Sequence, residues 1–168
     1  MIPFGAISNP KEYIQYRKED TFVVYGVPRA LQRARISQKR MYDPQKKDKE
    51  EFAYEILAQL PPQKNPLSST DPITLFIDFH MPIPKSLSKK KQHELLNQPH
   101  HKKPDLSNLI KFVEDALIGI LFVDDRQITT IHATKIYHKI PKTLIKIKRT
   151  LDEDEDEVSN TTSPINNY

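Results

Sequence analysis

Residues 103–125 read KPDLSNLIKFVEDALIGILFVDD, an apolar helical stretch with Asp105 at its start and Asp124 and Asp125 at its end. Adjacent carboxylates repel one another unless a cation lies between them. Mg²⁺ or Mn²⁺ suits such a place, because a hard divalent ion binds through one or two carboxylates and keeps several waters. An ion of this kind, held by acids in an otherwise basic chain, is the equipment of phosphodiester hydrolysis: it acidifies a water or polarises a phosphoryl oxygen. A lysine then offsets the charge that develops. Lys111 stands about two turns into the helix, on a polar face with Asn108 and Asp115. Each residue also has a plainer reading. Asp105 at a helix start gains about 0.3–1 kcal/mol as a dipole partner or cap, and Lys111 with Asp115 makes an i, i+4 surface pair.

The elements that must position these groups are legible in outline. Leu106, Leu109, Ile110, Val113 and Leu117 recur at i, i+3, i+4, i+7 spacing and predict the buried stripe of the helix. Residues 72–82, PITLFIDFHMP, alternate Ile73, Leu75, Ile77 and Phe79 with polar or aromatic neighbours, as a strand does. TFVVYGVP, residues 21–28, predicts a strand closed by Pro28. A helix is expected within residues 43–62, with Phe52, Ile56, Leu57 and Leu60 on its buried side. Residues 86–98 predict a short basic helix capped by Ser86 or Ser88. Residues 126–138 and 143–150 alternate like two paired strands, with Ile140, Pro141 and Lys142 at the turn.

Charge points toward a polyanionic partner. The 26 Lys and Arg face 22 acids, but six of those acids form the block DEDEDE at residues 152–157, so the rest is strongly basic. A body of that charge favours phosphates through counterion release, although a solubilising surface is the plain alternative. Lys85, Lys89, Lys90, Lys91, Lys102 and Lys103 precede the acids and suggest a track for flanking phosphates. Arg29, Arg33 and Arg35 suggest a second contact region. His100 and His101 are poor zinc candidates, since adjacent histidines rarely reach one ion and the chain has no Cys. His80 reads as a structural histidine. The acidic block is either solvated or a mimic of nucleic acid that folds back on the lysines.

The remaining sequence bounds the answer further. At 168 residues the chain fits one folded domain, expected at 21–151 between an N-terminal extension, 1–20, and a disordered acidic tail, 152–168. No run is long enough to span a membrane or to act as a signal peptide, so a soluble cytoplasmic protein is expected. Only three Gly are present, which argues against a glycine-rich phosphate loop and a nucleotide cofactor.

The order K-P-D-x-x-N-L-x-K, then D-A-L, then G-x-x-x-x-D-D-x-Q-I resembles the RusA family of Holliday junction resolvases. GVPRALQRAR and the basic stretch before the acids are similar to the family as well. The resemblance implies an α/β (α+β) fold, a small mixed sheet packed with two to three helices. It also implies a homodimer and a Mg²⁺-dependent endonuclease acting on four-way DNA junctions. It assigns Asp105, Asp124 and Asp125 to catalysis and the metal, Lys111 to catalysis, and Asn108 to support. One departure stands out: where the family has a second aspartate, this chain has Ser107, a neutral and poorer ligand. Three outcomes are open. Ser107 holds a water while the other acids carry the ion, a neighbouring acid such as Asp115 or Glu114 substitutes, or the protein binds junctions without cutting them. A metal-free nucleic-acid-binding module, its acids only capping helices, is the remaining alternative.

Overall fold

The computed structural model describes residues 20–32, 35–37, 40–60 and 71–150. The N-terminal extension to residue 19, Arg33, and the acidic block with the tail expected to be disordered lie outside the described residues. In chain order the elements are β1 (Asp20–Tyr25), β2 (Arg35–Ser37), β3 (Arg40–Tyr42), α1 (Lys46–Leu57), β4 (Ile73–Pro82), α2 (Lys89–Leu95), α3 (Leu106–Leu117), a 3-10 turn (Asp125–Gln127), β5 (Ile128–His138) and β6 (Lys142–Arg149). The result is a mixed α+β fold, with a four-stranded sheet of order β1-β6-β4-β5 and a separate two-stranded ribbon, β2-β3.

Strand β4 takes the centre because it is the most apolar, with Ile73, Leu75, Ile77 and Phe79 fully buried. It runs antiparallel to β6 and parallel to β5. This corrects the expectation that the last two strands pair with each other: β4 lies between them. The short connection from His138 to Lys142 bridges two strand spacings, roughly 9.5 Å, within reach of four extended residues. A parallel β4–β5 pair requires a long crossover. Residues 83–127 supply it, and the crossover carries both α2 and α3.

Helix α3 packs on one face of the sheet, and the buried stripe differs from the expected one. Leu109, Phe112, Val113, Ala116 and Leu117 are buried, while Leu106 and Ile110 are only partly covered. The stripe is therefore rotated by about half a residue step toward Phe112 and Ala116. Phe112 meets Phe52 of α1 edge to face, with centroids 5.6 Å apart. Each fully buried side chain of this size contributes about 1.5–3 kcal/mol. In α1, Phe52 and Ile56 are buried as expected, but Leu57 is exposed, and Leu60, beyond the end of the helix, is only half-buried.

Lys49 ties the two helices together. Its Nζ lies 2.8 Å from Asp43 and 2.9 Å from Asp115. The Lys49 hydrogen bond, aided by the Gln45 backbone, holds the Asp43 carboxyl below its usual range. Burial opposes the charge on Lys49, yet the two carboxylates together raise its pKa. Asp43 depressed in the fold contributes stability above the unfolded carboxylate range, and that stability is lost as pH falls through the range. Replacing Lys49 with Met is expected to cost about 1 kcal/mol at neutral pH. Urea denaturation should show the difference shrinking toward pH 3.

Candidate active site

Asp105 holds the N-cap position of α3 with extended backbone, φ −70° and ψ 142°, but its carboxylate makes no capping hydrogen bond. Its carbonyl instead accepts the N–H groups of Asn108 and Leu109, at 3.1 and 3.2 Å. The segment before it is held by β5, where Lys135 Nζ donates to the carbonyls of Lys102 at 2.8 Å and Pro104 at 2.6 Å. The Lys103–Pro104 peptide is cis. Asn108 serves through its backbone, its carbonyl accepting the Leu31 N–H at 2.8 Å. That bond draws the GVPRAL segment against α3.

Beyond α3 the chain reverses at Gly119, whose φ of +78° is open to glycine at little cost. Its N–H donates to the Phe122 carbonyl at 2.7 Å. The 3-10 turn follows, and here the two aspartates part company. Asp124 is the cap: Oδ1 accepts the Arg126 backbone N–H at 2.9 Å and Nε at 2.8 Å, while Oδ2 accepts Nη2 at 2.8 Å. The Arg126 side chain and backbone hold the Asp124 carboxyl far below the usual carboxylate range. Asp125, next in the chain, is exposed.

Buried Gln127 closes the turn from the other side. Its Oε1 accepts the N–H groups of Val123 at 2.8 Å and Asp124 at 3.1 Å, and its Nε2 donates to the Asp71 carbonyl at 3.1 Å. Sequence reasoning gave Gln127 no role; the signal was its place three residues after Asp124, the reach of a capping box.

The rotation of α3 also changes which polar residues look outward. Opposite the buried arc lie Ser107, Lys111 and Glu114, at i, i+4, i+7 spacing. Ser107 and Lys111 are exposed and Glu114 is half-buried. Burial raises the Glu114 pKa, the charges of Asp125 and Asp115 raise it further, and Lys111 opposes them. Asp125 and Lys111 thus both lie within electrostatic reach of Glu114. Asp115, the other acid weighed as a substitute for the missing aspartate, is held in its ion pair with Lys49. Asp105 stands nine residues before Glu114, about 13 Å along the axis.

Among the described residues, no three of His, Asp and Glu converge into a ready metal cage. The donor chemistry still fits a hard divalent ion. Asp105, Ser107 and Asp125 offer oxygen alone, and Mg²⁺ takes the remainder of its shell from water. Asp124 offers least, with both carboxylate oxygens engaged by Arg126.

Of the basic residues, Lys85, Lys89, Lys90, Lys91, Lys102 and Lys103 are all exposed, and α2 buries no side chain. Ser88 is the cap of α2, its Oγ accepting the Lys91 N–H at 3.4 Å. Arg29 is committed elsewhere, paired with Asp48 at 3.4 Å and Glu51 at 3.3 Å. Arg35 opens the ribbon. His100 is buried against Tyr137, with ring centroids 4.5 Å apart, and His101 is exposed. No described helix is long and apolar enough to cross a membrane.

Lys111 and Glu114 share one face of α3, near the capped acidic turn. The model for the endodeoxyribonuclease RusA family matches residues 25–148, and the chain belongs to that family, whose members act on branched DNA junctions. An uncharacterised protein, YqaN of Bacillus subtilis (strain 168), is 31% identical over 137 residues, covering 76% of this chain and 94% of that protein.

Two outcomes are expected of the site itself. Gln127→Ala leaves the N–H groups of Val123 and Asp124 without their acceptor and should cost about 1–3 kcal/mol in urea denaturation. Glu114→Gln should do the opposite. A carboxyl whose pKa is raised in the fold lowers stability once pH exceeds its unfolded value, and the penalty is complete above the raised value. The variant should gain a few tenths of a kcal/mol near pH 7, and the gain should vanish below about pH 4 in thermal melts.

Proposed function

We propose that this chain is a divalent-metal-dependent endonuclease that cuts four-way DNA junctions symmetrically as a homodimer. One observation carries the reading: in a chain of the RusA family, Lys111 stands on the outward arc of α3 between Asp105, whose carboxylate is not spent on capping, and Asp125. Asp105 and Asp125 would hold the ion, and Glu114, too far along α3 from Asp105 to share it, would stand outside its shell. When bound, a divalent ion supplies an acidified water and a polarised phosphoryl oxygen.

The chain's own residues do the rest. Lys111 Nζ offsets the negative charge that grows on the phosphoryl oxygens. Asp124, clamped by Arg126 and Gln127, fixes the direction of Asp125. The exposed lysines of residues 85–103 position the DNA through phosphate contacts that carry no sequence information. A four-way junction has two-fold symmetry, so a C2 dimer presents one site to each of two opposed strands.

The alternative is a protein that binds junctions without cutting them, and it is favoured by Ser107 together with the lack of a ready cage among the described residues. Cleavage of a labelled junction, beside linear duplex, in Mg²⁺, Mn²⁺ and EDTA separates the two. Cuts confined to the junction, abolished by EDTA, support the nuclease. In that case Lys111→Ala and Asp125→Asn should each lower the rate by about 10²–10³ with junction affinity kept. Ser107→Asp should lower the Mg²⁺ concentration needed for half-maximal rate. Tight binding with no cuts in either metal would establish the binder instead.

A further inference from the structure

The sheet has a second face, turned away from α3, and its chemistry is distinctive. The strand registers align Thr21, Lys146, Phe76 and His132 in one row across the four strands. A second row holds Val23, Leu144, Asp78 and Thr134, and a third holds Tyr25, Lys142, His80 and Ile136. At the centre, Phe76 stacks on His132 with centroids 4.8 Å apart and planes 13° from parallel. Lys146 and Lys148 reach over the same ring, their Nζ atoms 5.3 and 5.4 Å from its centroid. His80 lies against His138, at 4.4 Å. The only acid among the described strand positions of this face is Asp78, which accepts a short hydrogen bond from Thr134.

The electrostatics have the same sign. His80 is pushed below its ordinary value by burial and then by the charges of His138 and Lys142, against the pull of Asp78. Lys146 and Lys148 lie on alternate residues of β6, about 6.6 Å apart along the strand, a step comparable to that between neighbouring phosphates of one nucleic-acid strand. Lys142 continues the same row two such steps further on. The row has a direction. Lys148 is level with Thr74 and Thr130, close to the sheet end where β5 begins just after Asp124 and Asp125. From there it runs along the sheet to Lys142.

We propose that this face is a second DNA contact, on which Lys148, Lys146 and Lys142 receive phosphates of a duplex arm leading away from the acidic turn. The proposal rests on the junction-nuclease reading and extends it, because it uses a face and a strand distinct from the lysines of residues 85–103. Stacked Phe76 and His132 form an aromatic floor beneath the Nζ atoms of Lys146 and Lys148. Phosphate contact of this kind steadies an arm and reads no sequence.

The test is fluorescence anisotropy of a labelled four-way junction across a salt series, in EDTA so that nothing is cut. The triple variant Lys142→Gln, Lys146→Gln, Lys148→Gln should bind at least about tenfold more weakly at low salt. The slope of log affinity against log salt should fall by about 2–3, at roughly 0.9 for each phosphate no longer neutralised. The matching Lys→Arg triple, which keeps charge and the stack, should bind like the unaltered protein, and thermal melts of both triples exclude misfolding as the cause. An unchanged affinity and slope in the Gln triple would overturn the proposal while leaving the nuclease reading intact. So would a Gln triple whose sedimentation without DNA differs from that of the unaltered protein, since the face would then be a subunit contact. Failure of the unaltered chain to bind any junction would sink the nuclease reading itself.

Discussion

Leu109, Phe112, Val113, Ala116 and Leu117 close over the sheet along one arc of α3, and a helix anchored this way cannot turn about its axis. Native cores are close-packed, so even a rotation of one residue step would open cavities under Phe112 and force Leu106 into contact with the strands. That rotational setting decides which polar residues share a face. It turns Ser107, Lys111 and Glu114 outward together and moves Asp115 toward α1, where Lys49 holds it. The chemistry of the site is therefore fixed by apolar side chains that never touch it.

The acidic turn shows how a fold distributes work among neighbouring residues of one type. Asp124 is saturated by three hydrogen bonds from Arg126. Such a carboxylate is a poor ligand, because any cation would have to displace the guanidinium first. Asp125 carries no capping duty and is exposed. After burial, its charge raises the pKa of half-buried Glu114. Such shifts cluster where charge is put to use, although ion-pair networks produce them as well.

Most of the architecture was legible because it depends on periodicity: β1, β4, α1, α2 and α3 all fall where alternation or helical spacing places them. The pairing of the last two strands was not. Alternation reports that a strand has two unlike faces and is silent about its neighbour. Here β4, one face of which is fully buried, claimed the slot between β5 and β6. Residues 35–42 gave no sign of a ribbon, since RISQKRMY has neither clear alternation nor a glycine turn. Glu114 was weighed as a substitute acid but not placed on one face with Lys111, for a narrower reason. Leu106 and Ile110 look as apolar as Phe112 and Ala116, and choosing between the two stripes needs the position of Phe52, which only tertiary packing supplies.

The unexpected strand order has a consequence for surface chemistry. With β4 inserted, Phe76 has His132 on one side and Lys146 on the other, in a single cross-strand row. Cross-strand neighbours lie about 5 Å apart, close enough for stacking and cation–π contact at once. One topological choice, driven by burial of the most apolar strand, thereby sets lysines over an aromatic floor on the outer face. The same choice leaves β5 to begin beside Asp124 and Asp125, so the basic row and the acidic turn share one end of the sheet.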